Sequence, residues 1–248
     1  MIDFLTTLIN GLSLGGVYAL IALGYTMVYG IAKMLNFAHG DIIMVGGYTI
    51  MIFFSTIGLP WVGLLVAAVM AIIVCVIVGL TTERFAYRPL RGASPLAVLI
   101  TAIGVSYLLQ SFAQIIFGSA EKTVVLNFMG SIQIGALKID VATIITLVVA
   151  AAIMVALTLF IDRTKTGKAM LAVSEDRGAA QLVGISVNKI IAITFAIGSA
   201  LAGVAGVFML MKTPSVNVTM GAMPGIKAFV AAVIGGIGSI PGAMIGGI

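Results

Sequence analysis

The segment VSEDRGAAQLVGI, residues 173–185, gathers two acids and an arginine, Glu175, Asp176 and Arg177, ahead of Ala179, Ala180, Leu182, Val183 and Gly184. The chemistry this pattern suits is recognition. Ser174 can cap a helix by accepting an amide proton from one turn in. Glu175 and Asp176 then fall in the first turn, where the helix dipole favours acids. Gly184 is a natural stop, because it accepts the left-handed conformation. The expected object is a helix of two to three turns, too short to be stable alone. Its small apolar face, flanked by acids, suits a groove on another protein. The other reading is a helix lying on lipid headgroups. The acids weaken it, since anionic lipid repels them.

Two further segments hold polar or conformationally unusual residues inside apolar surroundings. KMLNFAHGD, residues 33–41, contains Asn36, His39 and Asp41. If it dips into the membrane, these groups are expensive there and mark function. If it is a cytoplasmic turn, they are solvated and Asp41 starts the next helix. The turn is the preferred reading for Asp41, and Asn36 and His39 stand evenly between the two. Residues 225–247 carry Gly235, Gly236, Gly238 and Pro241, which make an uninterrupted helix difficult. A broken helix at membrane depth must face protein or a water-filled cavity, which makes a translocation element. A turn between two short helices at the cytoplasmic surface fits equally well. TKTGKA, residues 164–169, is no phosphate loop, because Gly167 and Lys168 lead into Ala169 and the earlier glycine is absent. The chain is therefore expected to hold no nucleotide of its own. Cys75 and His39 are each the sole residue of their type, which excludes an internal disulfide and multi-histidine or cysteine metal sites.

These segments sit in a chain of 248 residues that is 61% hydrophobic and 8% charged, with a mean hydropathy of +1.25. Soluble domains carry about 25% charged residues. The class is an all-α, polytopic membrane protein, a single transmembrane domain over 1–248 with membrane lipid as its solvent. A helix needs about 20 apolar residues to cross a bilayer. Charge-free windows run over 4–32, 42–82, 92–120, 141–161, 190–211 and 228–248, and Gly58, Leu59 and Pro60 divide the longest one. Seven spans are expected, near 5–31, 41–57, 61–82, 95–117, 141–161, 189–211 and 226–248. The last has no polar residue after it, so one or more further helices are expected beyond the covered chain. The apolar N-terminus has Asp3 in place of a basic region and reads as a membrane helix, not a signal peptide.

Lys and Arg set the orientation. With the N-terminus outside, the inner loops hold Lys33, Arg84, Arg88, Arg91, Arg163, Lys165, Lys168, Arg177 and Lys189, and the outside holds Lys122, Lys138, Lys212 and Lys227. That agrees with the positive-inside rule. The net charge of +5 is thereby assigned to cytoplasmic loops and not to a nucleic-acid partner. The loop 162–188 becomes cytoplasmic, with seven of the 21 charged side chains, and 118–140 becomes an outer hairpin or loop. Pairs such as Gly11 and Gly15, Gly198 and Ala202, Ala202 and Gly206, and Gly242 and Gly246 have the spacing of close helix contacts.

Taken together, GYTMVYGIAKMLNFAHGD, ERFAYRPLR, SEDRGAAQLVGI and GIKAFVAAVIGGIGSIPGAMIGG resemble the permease subunits of bacterial branched-chain amino-acid ABC importers. The likeness runs along nearly the whole chain. It implies an inner-membrane, multi-pass permease that pairs with a second, related permease, two ATP-binding subunits and an extracytoplasmic substrate-binding protein. ATP would be bound by the partner subunit, and this chain would need no cofactor. Glu175, Ala179, Ala180 and Gly184 match the EAA-type element that docks such permeases on their ATPases, with Asp176 beside them. Asp176, Arg177 and Gly178 stand between the Glu and the alanine pair, and Gly178 costs a helix about 1 kcal/mol relative to alanine. The resemblance implies alternating access, with the binding protein landing on outer loops near 57–62, 118–140 and 212–225. The alternatives are a sister importer of urea or short amides, or an ion-coupled secondary transporter. The second is weakened because only Asp41 and His39 offer ionisable groups in the membrane. A channel lacks a filter motif, and nothing in the chain suggests an enzyme.

Overall fold

The structure is a computed structural model that describes residues 2–57, 60–124, 126, 130–134 and 137–248. In chain order the elements are α1 (Ile2–Ala32), α2 (His39–Ile57), α3 (Pro60–Thr82), α4 (Pro95–Phe117), β1 (Lys122–Thr123), β2 (Ser131–Ile134), β3 (Leu137–Asp140), α5 (Val141–Arg163), α6 (Lys165–Glu175), α7 (Arg177–Leu182), α8 (Val187–Lys212), β4 (Ser215–Val216), α9 (Ala222–Ile234) and α10 (Ile240–Gly247). Positions 58 and 59 of the expected turn lie outside the described residues, and Pro60 opens α3, where its missing N–H costs nothing. α3 runs on through a π-helical turn, Glu83–Tyr87, and a 3₁₀ turn, Arg88–Leu90.

Among the described residues, six helices are long and apolar enough to cross a membrane: α1, α2, α3 with its extension, α4, α5 and α8. They match the first six expected spans. The seventh does not form. Residues 226–248 divide between α9 and α10 instead. Gly236 and Gly238 turn the chain with φ of +90° and +99°, and Pro241 sits in the first turn of α10. The two short helices lie antiparallel, with Gly242 against the Gly235 carbonyl and Gly246 against the Ala231 carbonyl. The broken pattern of glycines was therefore a reversal, too tight for one continuous helix.

α1 and α8 are the most buried of the six, and α4 and α5 the least. α8 packs on α1, α2 and α3. Its glycines make this possible. Gly198 meets Gly24 and Val28, and Gly206 meets the Ile43 carbonyl. A Cβ at Gly203 would come within 3.0 Å of the Ile72 backbone. Dispersion between close backbones is the main attraction available where lipid is as apolar as the helix. Thr49, Thr146 and Thr194 bury their hydroxyls by donating to the carbonyl four residues back, at 2.7–2.9 Å. α4 stands off from the bundle and leaves a groove of about 630 Å³ between α2, α3 and itself, walled by Val45, Tyr48, Val78 and Phe112. Beyond α4, β2 and β3 form the expected hairpin, with Ser131 opposite Asp140. β1 pairs with β4.

Candidate functional site

The segment 173–185 is helical, but its caps fall differently from the sequence expectation. Ser174 and Glu175 close α6, and Ser174 donates to the Leu171 carbonyl instead of capping a helix ahead of it. Asp176 breaks the chain with an extended backbone and opens α7, its carboxylate accepting from the Gly178 and Ala179 amides at 2.7 and 3.1 Å. Asp176 thus caps, and Glu175 does not lie in a first turn. Thr164 caps α6 in the same way, accepting from Gly167 at 2.9 Å. A carboxylate satisfies free amides better than the serine hydroxyl two residues earlier, and that competition decides where the helix starts. Gly184 is the stop, with φ +84°. The Ile185 amide closes the turn on the Ala180 carbonyl at 2.9 Å, the hydrogen bond of a left-handed helix end.

α7 has two faces. Ala180 is 2% exposed and belongs to the bundle's own core, whereas Leu182 and Val183 are 89% and 75% exposed. Ala179, Glu175 and Gly184 are exposed beside them. Arg177 reaches inward and donates to the carbonyl of Ala32, the last residue of α1. That carbonyl lacks an intrahelical partner by position, so the arginine satisfies a helix end as well as tying α7 to it. Nearby, Arg91 donates to Glu83 and Asn188, which joins the end of α3 to the start of α8.

The Ala32 end leads straight into 33–41. Lys33 has φ +52° and turns the chain back along α1. Asn36, His39 and Asp41 are all buried, at 3%, 1% and 2% exposure. The His39 ring lies edge-on to Tyr25 at 4.8 Å, and its Nε2 faces Gly24 with no hydrogen-bond partner among the described residues. Gly24 is eight residues before the end of α1, a depth of about 12 Å at 1.5 Å per residue. The segment is therefore not a solvated cytoplasmic turn. It re-enters the bundle, and α2 starts at mid-depth. Tyr87 donates to the Asn36 side-chain carbonyl at 2.8 Å, and Gln110 donates to Asp41 at 2.8 Å. The gap beside Asn36, bounded by Tyr25, Tyr29 and Phe229, has no room for a water molecule.

The family model for the branched-chain amino acid transport system permease component matches residues 7–248. The chain belongs to this family. It is 47% identical to the high-affinity branched-chain amino acid transport system permease protein BraD of Pseudomonas aeruginosa, over 99% of this chain and 83% of the relative. It is 44% identical to the corresponding LivH protein of Escherichia coli K12, with the same coverage. A probable branched-chain amino acid transport permease of Methanocaldococcus jannaschii is 31% identical over 92% of this chain and 73% of its own length. No solved structure matches.

Of the two readings of residues 225–247, the structure shows the turn between two short helices, and Lys227 sits elsewhere than expected. Gly235, Gly236 and Gly238 form the turn between α9 and α10, with Gly238 against Gly30 near the Ala32 end of α1. They lie about one turn from that end, and Ile237 within this turn borders the gap beside Asn36. Lys227, expected in an outer loop, is on α9 with its ammonium 5.8 Å from the centre of the Tyr18 ring. α9 starts at mid-depth as α2 does: Gly221 and Gly225 lie against Gly40. Sequence reasoning also missed Tyr87 and Gln110. Gln110 carried a usable signal, as one of two amides, with Gln114, in a charge-free span. Tyr87 carried none, since its role depends on the π-helical turn.

Proposed function

We propose that this chain is one of two unlike permeases of an ATP-driven importer of leucine, isoleucine and valine. The observation that carries the reading, within this family, is the α7 turn: Leu182 and Val183 stand bare while Arg177 binds the end of α1. An apolar knob facing away from the bundle suits a groove on an ATP-binding subunit. Glu175, Asp176, Ala179 and Gly184 frame that knob, and Ala180 anchors it from behind. The chain itself supplies no ATPase site and needs no cofactor. An extracytoplasmic binding protein delivers the substrate on the other side.

Closure of the ATPase dimer displaces α7. Arg177 passes the displacement to Ala32 and Lys33, and the chain carries it to Asn36, His39 and Asp41 at mid-depth. The closed gap beside Asn36 is the shut form of the path. Shifting the 33–41 segment against Tyr25 and Tyr87 opens it. An aliphatic amino acid then crosses by weak contacts that allow it to leave.

The test is uptake by the complete complex in proteoliposomes. Labelled leucine is expected to accumulate only with ATP and the ATPase subunits. Uptake of urea in place of leucine, or leucine uptake driven by an ion gradient without ATP, would overturn the reading.

A further inference from the structure

We propose that Lys227 is the group on this permease that meets the carboxylate of the amino acid in transit; the proposal rests on the reading of the cargo given above. Tyr18, over which the Lys227 ammonium sits, is near the midpoint of the Thr7–Ala32 span, about 16 Å from one end and about 21 Å from the other at 1.5 Å per residue. A lysine at that depth is costly against lipid, and such residues face a water-filled path or another protein group. Yet Lys227 is exposed on this chain. Among the residues whose side chains are described, Glu83 with Arg91 is the ion pair, and no carboxylate meets Lys227. Among the described residues its charge is met by the face of the Tyr18 ring.

That arrangement has the properties a transient site requires. A cation–π contact holds an ammonium weakly at an exposed site, so an incoming carboxylate can displace it. The same stripe of α9 presents Met223, Ile226, Val230 and Ile234 to the outside of the bundle. Its opposite face, Gly225, Ala228, Ala231 and Ala232, is buried. One cation within an aliphatic stripe matches an amino acid with one carboxylate and a branched hydrocarbon side chain. Lys227 is then a substrate-contacting residue of the translocation path, and α9 is the element that lines it.

The test uses the complete importer in proteoliposomes. Cys75, the one cysteine of these 248 residues, is buried, so within them Lys227→Cys gives the single reactive thiol. A membrane-impermeant cationic methanethiosulfonate reagent is expected to label that position, as read by the mass of the permease. Leucine delivered with its binding protein is expected to slow the labelling several-fold. Lys227→Met is expected to lower leucine uptake on the order of tenfold or more, as loss of a charged hydrogen bond does, with the ATPase and second permease still copurifying. Lys227→Arg should keep most of the uptake. Absent labelling, labelling indifferent to leucine, or normal uptake by Lys227→Met would overturn the proposal. Loss of the second permease from Lys227→Met would overturn it too, by assigning the lysine to a subunit interface. Failure of the parent reading shows separately, as a wild-type importer that takes up no leucine, and removes both.

Discussion

Asp176 closes α6 and opens α7, and Gly178 lies against its carboxylate. A Cβ at position 178 would come within 3.3 Å of the Asp176 carboxylate oxygen that the Gly178 amide binds. The glycine that weakens the helix by propensity thus spares the carboxylate that starts it one tight contact. The residues of this turn divide sharply by exposure, and the division makes a prediction. Leu182→Asp is expected to weaken copurification of the ATPase at least tenfold, or about 1.4 kcal/mol, while the permease inserts and folds normally. Ala180→Arg is expected to lower the yield of folded permease itself, measured by size-exclusion chromatography, because its side chain has no space inside. Ala180 and Leu182 were indistinguishable in the sequence as small apolar positions of one short helix. Which of them faces inward depends on where the Asp176 cap sets the first turn, and two polar residues competed for that position.

At the scale of elements, the spans bounded by charge were legible and the re-entrant pieces were not. α4, α5 and α8 fall within about two residues of their expected bounds, because a charged or turn-forming residue flanks each apolar run. Hydropathy reports how apolar a run is and says nothing of its depth. Residues 33–38 look like a loop in composition, and only the turn at Lys33 and the fit of His39 against Gly24 send them inward. Lys227 was misplaced for the same reason, since a charge at the edge of an apolar run reads as its end. The coupling between elements is testable at Arg177. Arg177→Ala is expected to leave the ATPase bound and hydrolysing ATP while leucine uptake falls severalfold. If uptake and hydrolysis fall together with loss of the ATPase, Arg177 belongs to docking and not to transmission.

The whole molecule is held by backbones that touch. The start of α9 crosses the start of α2 at Gly221 and Gly40, where a Cβ on either glycine would strike the other's carbonyl. No side-chain rotation relieves that collision. Gly221→Val is expected to cost about 1–3 kcal/mol or more, as overpacking does, and to lower the unfolding temperature in detergent. Gly11→Ala, which meets nothing within 4 Å, should leave it unchanged or raise it, because alanine is the better helix former. The crossing also gives meaning to the smallest feature of the fold, the two-residue ribbon of β1 and β4, in which Lys122 pairs with Val216 and Thr123 with Ser215. The ribbon stitches the outer end of the loosely held α4 to the strand that descends, within six residues, to Gly221. A load placed on the outer rim at α4 is therefore drawn down a short tether onto the helix that carries Lys227. If α7 is the handle proposed above, this ribbon is its counterpart, a pull-cord at the other end of the bundle.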